Sequence, residues 1–190
     1  EIFDAPYYYP TPTKLPAGKI LVRFPEVKGN MCSTLFLKEA VAQMELGDGE
    51  SSYNIKAWIH AVSHIGIIEI YAPENTFFIE LLSPEFGEKG TEKEYVYREE
   101  ERKISQGTLK ELKYLPVKKG ESKDLQWFIQ PVNEKFSYGI VMLVEKKGIK
   151  TRILWKIISS EDGENWFSDG KNALLAEAQK EENPILRGGV

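Results

Sequence analysis

The chain has 190 residues, 42% of them hydrophobic and 28% charged, with a net charge of −4 and a single cysteine, Cys32. That length suits one domain with a core of its own, one cysteine excludes an internal disulfide, and no apolar run approaches the ~20 residues a membrane-spanning helix needs. The composition fits a reducing, cytoplasmic compartment, and Glu1 in first place fits a processed N-terminus. The net charge hides a segregation. Residues 1–100 hold 9 basic against 16 acidic side chains, residues 101–156 hold 13 against 6, and residues 157–190 hold 3 against 7. A basic block between acidic flanks is the kind of asymmetry that marks a binding face.

Residues 1–18, "EIFDAPYYYPTPTKLPAG", carry four prolines and three consecutive tyrosines. Each proline fixes its own φ and pushes the preceding residue extended. An extended arm is expected, with Tyr7, Tyr8 and Tyr9 available for docking. "KILVRF" (19–24) reads as a strand. "STLFLKEAVAQMEL" (33–46) reads as a helix: Ser33 or Thr34 as cap, then Leu35, Leu37, Ala40, Val41 and Met44 at helical spacing. "YNIKAWIHAVSHIG" fits a strand or a helical turn. "IIEIYAPENTFFIELL" reads as two strands joined into a hairpin by "APEN".

A polar stretch at 83–94 is a possible subdomain break. Beyond it "EYVYR", "LKELKYLPV", "LQWFIQPV", "YGIVMLVEK" and "IKTRILWKIIS" are strand-like, joined by "ISQG", "KKGESKD", "NEKF" and "KG". Short connections between successive strands predict an antiparallel meander. An Asp-Gly turn at 162–163 precedes a last helix, "KNALLAEAQKEE", capped by Ser168 or Asp169 and stopped by Pro184. The expected architecture is α+β: an antiparallel multi-stranded sheet with one helix in the N-terminal half and one near the C-terminus. The domain reading is an arm over 1–18, a single domain over 19–182 and a tail over 183–190.

Motifs for chemistry are sparse. His60 and His64 share a face at i and i+4, but a third metal ligand is missing. Cys32 would sit at the start of the predicted helix, where a thiol pKa falls, yet no nucleophile signature surrounds it. Phosphate-cradling loops and nucleophile elbows are absent. "SEDGENW" resembles the strand–turn–Trp hairpin of several β-sandwich families, carbohydrate-binding ones among them. Over seven residues, that resemblance implies a turn and a packed Trp166. The terminal "LRGGV" resembles a cleavable diglycine tail. No cofactor, metal or enzymatic activity is expected.

The basic block carries what functional signal there is. With Lys147-Gly148 as a two-residue turn, Glu145 falls opposite Lys150 and Leu143 opposite Arg152. Lys150, Arg152 and Lys156 then share one face, while Ile149, Thr151, Ile153, Trp155 and Ile157 share the other. Lys110, Lys113, Tyr114, Lys118, Lys119, Lys123, Trp127, Phe128 and Lys147 add to the cationic and aromatic set. Cations that track phosphates beside rings that stack bases are the chemistry of single-stranded nucleic-acid binding. The plain alternative is that lysines decorate the wet side of a sheet. The function expected is therefore non-enzymatic binding of single-stranded nucleic acid. The alternative is a structural or assembly protein of a virion or larger complex, a possible homo-oligomer that docks its arm on a neighbouring subunit.

Overall fold

The computed structural model describes residues 17–25, 27, 29–47, 52–72, 77–84 and 114–180, together with the backbone of 92–97 and 100–105. Its centre is an eight-stranded antiparallel sheet. Two meanders build it. The first runs through β2 (Met31–Phe36), β3 (Val41–Leu46), β4 (Tyr53–Ile59) and β5 (Gly66–Tyr71). The second runs through β9 (Lys118–Ser122), β10 (Leu125–Pro131), β11 (Ser137–Lys147) and β12 (Lys150–Ser159). They join where β5 pairs with β12, so the order across the sheet is β2-β3-β4-β5-β12-β11-β10-β9. Two ribbons complete the strands among the described residues: β1 (Lys19–Arg23) with β6 (Phe78–Leu82), and β7 (Glu92–Tyr97) with β8 (Glu100–Ser105). The α-helix among the described residues, α1 (Trp166–Gln179), follows a 3-10 turn over Ser160–Asp162.

Both faces of the sheet are covered near the β5–β12 seam. On one face Leu174 of α1 joins Ile65, Ile67, Leu125, Val141, Leu143, Leu154 and Ile158 in a core cluster. The helix comes close because Gly170 has no side chain: a methyl there would overlap Ile158. On the other face Ile20, Val22, Ile79 and Leu81 of the β1–β6 ribbon pack on Tyr53, Ile70, Met142 and Ile153. Each interior is apolar on both sides of the strand. This is why β11 is buried almost continuously from Gly139 to Leu143 instead of alternating.

The expected α+β architecture and antiparallel sheet are present. The N-terminal helix is not. Residues 33–46 lie in a hairpin, β2 and β3, with a turn over 37–40. Ala40 has φ +52, which no right-handed helix contains. The ladder from β3 to β4 supplies long-range hydrogen bonds that outweigh the local helical spacing. Cys32 therefore lies exposed on a strand, and the helix-terminus argument for a reactive thiol falls with the helix.

Three smaller expectations are also corrected. β5 and β6 are strands but do not pair with each other; β6 crosses to β1. "KKGESKD" is not a connector, because its first five residues form the edge strand β9. In "LKELKYLPV", residues 114–117 are irregular, and the rest lies outside the described residues. The ambiguous segment at 53–64 resolves as β4 followed by a turn at 61–63. "SEDGENW" is the 3-10 turn leading into α1, and Trp166 packs at the margin of the helix-side core.

Candidate functional site

The β11–β12 hairpin turns at Gly148 and Ile149, with Gly148 at φ +57. The turn thus sits one residue later than expected and the register moves by two. Glu145 stands opposite Arg152, and Leu143 opposite Leu154. A shift of two leaves each side chain on its predicted face. Lys150, Arg152 and Lys156 do share a face, but it is the face that carries α1, and there all three are half-buried.

There the cations meet carboxylates. β5 brings Glu69 opposite Arg152. Lys150 Nζ lies 3.0 Å from Glu69 Oε1, and the two side chains are 16% and 7% exposed. Arg152 Nη1 lies 3.5 Å from Glu145 Oε2, and its Nε is 4.0 Å from Glu69 Oε1. That last separation is too long for a hydrogen bond, and Arg152 Nε is buried with no hydrogen-bond partner in the described structure. The Tyr71 hydroxyl donates to Glu69 Oε2 at 3.5 Å, and Lys150 Nζ lies 5.3 Å from the Tyr71 ring centre. Lys156 Nζ donates to the Ser63 carbonyl at 2.7 Å. Ion pairs at this depth are screened little by salt and keep their geometry. Their lysines and arginine are already engaged, so they are poorly placed to grip a phosphate chain.

A cavity of about 340 Å³ opens beside this network, lined by Glu145, Lys147, Lys150, Arg152 and the C-terminal end of α1 at 178–180. Lys180 closes its rim and pairs with the buried Glu177 at 2.8 Å. Glu69, Glu177 and Lys180 were not singled out from the sequence. For Glu69 the signal was present: a lone charge inside "IIEIY" takes the opposite face from Ile68 and Ile70.

The rest of the predicted set does not converge. Phe128 is fully buried, its ring against Gly18 and Ile140. Trp127 packs edge-on to Phe167 at 5.1 Å and covers Gly120, where a methyl would overlap the indole. Neither ring is free to stack a base. Lys118 and Lys119 are exposed on neighbouring positions of β9, hence on opposite faces, and Lys123 is exposed at the turn after it. Two strands, β11 and β10, separate β9 from β12, roughly 14 Å of sheet. Tyr114 is half-buried. Its neighbour Tyr138 has its pKa pushed up to about 12, by burial first and by Tyr114 second. Lys110, Lys113, Tyr7, Tyr8 and Tyr9 lie outside the described residues. His60 Nδ1 accepts the Ser63 amide at 3.2 Å, and no cluster of three metal-ligating side chains occurs among the described residues.

A group of apolar side chains is also exposed on the sheet. On the face that carries the β1–β6 ribbon, one register row runs Leu35, Ala42, Ala57, Ile68, Ile153. The next runs Ile59, Gly66, Trp155. The ribbon covers the β5–β12 end of these rows and leaves the other end bare. Leu35 is 62% exposed, Ile59 61% and Ile157 49%. Trp155 lies over Gly66 and is half-buried between them. Among the described residues, no helix is long and apolar enough to cross a membrane. No protein-family model matches the chain, and no curated protein matches it in sequence.

Proposed function

We propose that the chain is a non-enzymatic assembly protein that docks through the bare part of its sheet. The observation that carries this reading is that Leu35, Ile59 and Ile157, on three strands and in three register rows, are all exposed on one face, the face on which Ile153 is buried. Single exposed apolar residues are ordinary, but a cross-strand group on one face is the usual mark of a contact surface. The expected arm over residues 1–18 fits the same surface. Its last residue, Gly18, lies against Phe128 and Ile140, and Ile140 stands beside Ile157 in the ladder. Gly18 thus lies at the edge of the bare face. Tyr7, Tyr8 and Tyr9 would lay rings on it in a neighbouring subunit. Sedimentation of the intact chain and of a chain lacking residues 1–13 tests this. A lower particle mass after deletion is expected, and an unchanged mass would count against an arm that docks.

A second reading keeps an anionic partner. Lys147 and Lys180 are exposed at the rim of the 340 Å³ cavity, and Lys118, Lys119 and Lys123 are exposed elsewhere on the same half of the sheet. Titrating a fluorescent single-stranded oligonucleotide at two salt concentrations separates the readings. Tight binding that weakens steeply with salt favours the nucleic acid. The assembly reading expects weak binding throughout.

A further inference from the structure

The two edges of the eight-stranded sheet are built differently. β9, at one edge, reads "KKGES": Lys118, Lys119 and Glu121 place charge along it. Charged edge strands are the ordinary defence against pairing with another chain. β2, at the other edge, reads "MCSTLF". It carries no charge and no proline, and every one of its six residues is exposed. It is regular as well, paired to β3 without a break from Met31 to Phe36. Among the described residues no strand pairs with its outer side, and nothing in its own sequence would repel a partner strand.

We infer that β2 pairs with β2 of a second copy of this chain, antiparallel, about a twofold axis through Ser33 and perpendicular to the sheet. This rests on the assembly reading and names its partner. The axis follows from the pattern of the strand. Met31 and Leu35 lie on the bare apolar face, two positions either side of Ser33. A perpendicular twofold keeps that face on the same side in both copies. It sets Met31 of each copy beside Leu35 of the other, where directly opposed side chains are about 5 Å apart. The apolar face then runs unbroken across both molecules. Cys32 falls opposite Thr34, so the native thiols do not face each other and the dimer needs no disulfide. One six-residue strand per side is a small interface, so a reversible dimer is expected, with Kd on the order of 10 μM.

Cross-linking tests the register. In a Cys32→Ser background, Ser33→Cys places two thiols across the axis, while Ser122→Cys places one on the charged edge. Both sites are exposed, so neither substitution touches the core, and circular dichroism checks that each variant folds. Under mild oxidation Ser33→Cys should form a disulfide-linked dimer about tenfold faster than Ser122→Cys. Adding Leu35→Glu, which sets a carboxylate beside Met31 of the mate, should remove most of that advantage. Equal rates for the two cysteine variants would overturn the self-pairing and leave the edge to a strand of another protein. If the rates are equal and deletion of residues 1–13 still lowers the particle mass, self-pairing is wrong and the assembly reading stands. If both tests fail, the assembly reading goes as well.

Discussion

Two antiparallel hairpins in this sheet are buried to very different extents. β2–β3 and β11–β12 are both antiparallel pairs that carry large apolar side chains. The second is buried on both faces, between α1 and the β1–β6 ribbon. The first is covered only at its inner strand, where Val41 is buried and Leu46 reaches the ribbon-side core, and its outer strand is exposed from end to end. Leu35 and Ile153 make the contrast sharp, because they sit in the same register row of the same face, three strands between them. One is 62% exposed and the other fully buried. What separates them is whether a further layer crosses that part of the sheet. Burial here belongs to topology. The residue type is nearly the same at both ends of the row.

The largest expected effect lies at the covered end. Ile153→Ala removes a side chain with no room to collapse and should cost about 4 kcal/mol in urea unfolding. Next comes the ion network. Arg152→Met removes the Glu145 ion pair and leaves Glu69 with Lys150 and the Tyr71 hydroxyl, and about 2–3 kcal/mol should be lost at neutral pH. Because these side chains are largely buried, raising salt should change that loss little. A loss that vanished in salt would show the network to be a surface feature.

Tyr138 gives a smaller effect with a defined pH window. Its pKa is raised in the fold from 10 to about 12. Between those values the unfolded chain gives up the proton first, so the stabilisation from holding Tyr138 neutral is intact below pH 10 and declines as pH rises toward 12. Tyr138→Phe should be close to neutral below pH 10, since the hydroxyl has no hydrogen-bond partner in the described structure. Above pH 10 the variant should lose less stability than the parent. Matched denaturation curves at pH 8 and pH 11 read the difference directly. Smallest of all is the bare end of the row: Leu35→Ala should stay within about 0.5 kcal/mol of the parent. A cost near that of Ile153→Ala would mean that β2 is covered after all.

Much of the second meander was legible in the sequence, because period-two alternation and a Gly turn fix faces locally. Lys150, Arg152 and Lys156 could be sorted from Ile153 and Trp155 even with the turn misplaced by one residue, since a register shift of two preserves parity. What alternation cannot reveal is what lies over each face. Lys150 and Arg152 looked solvent-facing because lysine and arginine usually are. Their carboxylate partner Glu69 is some eighty positions away and arrives only through the β5–β12 pairing. The missed hairpin at 31–46 has a related cause. Leu35, Leu37, Val41 and Met44 fit a helical face, and only the ladder from β3 to β4 decides for strands. In sequence Trp127 and Phe128 are candidates for base-stacking rings or for core, and Gly120, Phe167 and Gly18 make them core.

The central claim is that the uncharged edge β2 is a contact surface and the charged edge β9 is not. Amide hydrogen exchange at low and high protein concentration tests it most directly. Strand pairing at β2 should slow exchange in the Met31–Phe36 segment as concentration rises, with Lys118–Ser122 unchanged. Exchange at β2 that is fast and independent of concentration, or protection that appears at β9 instead, would contradict the account.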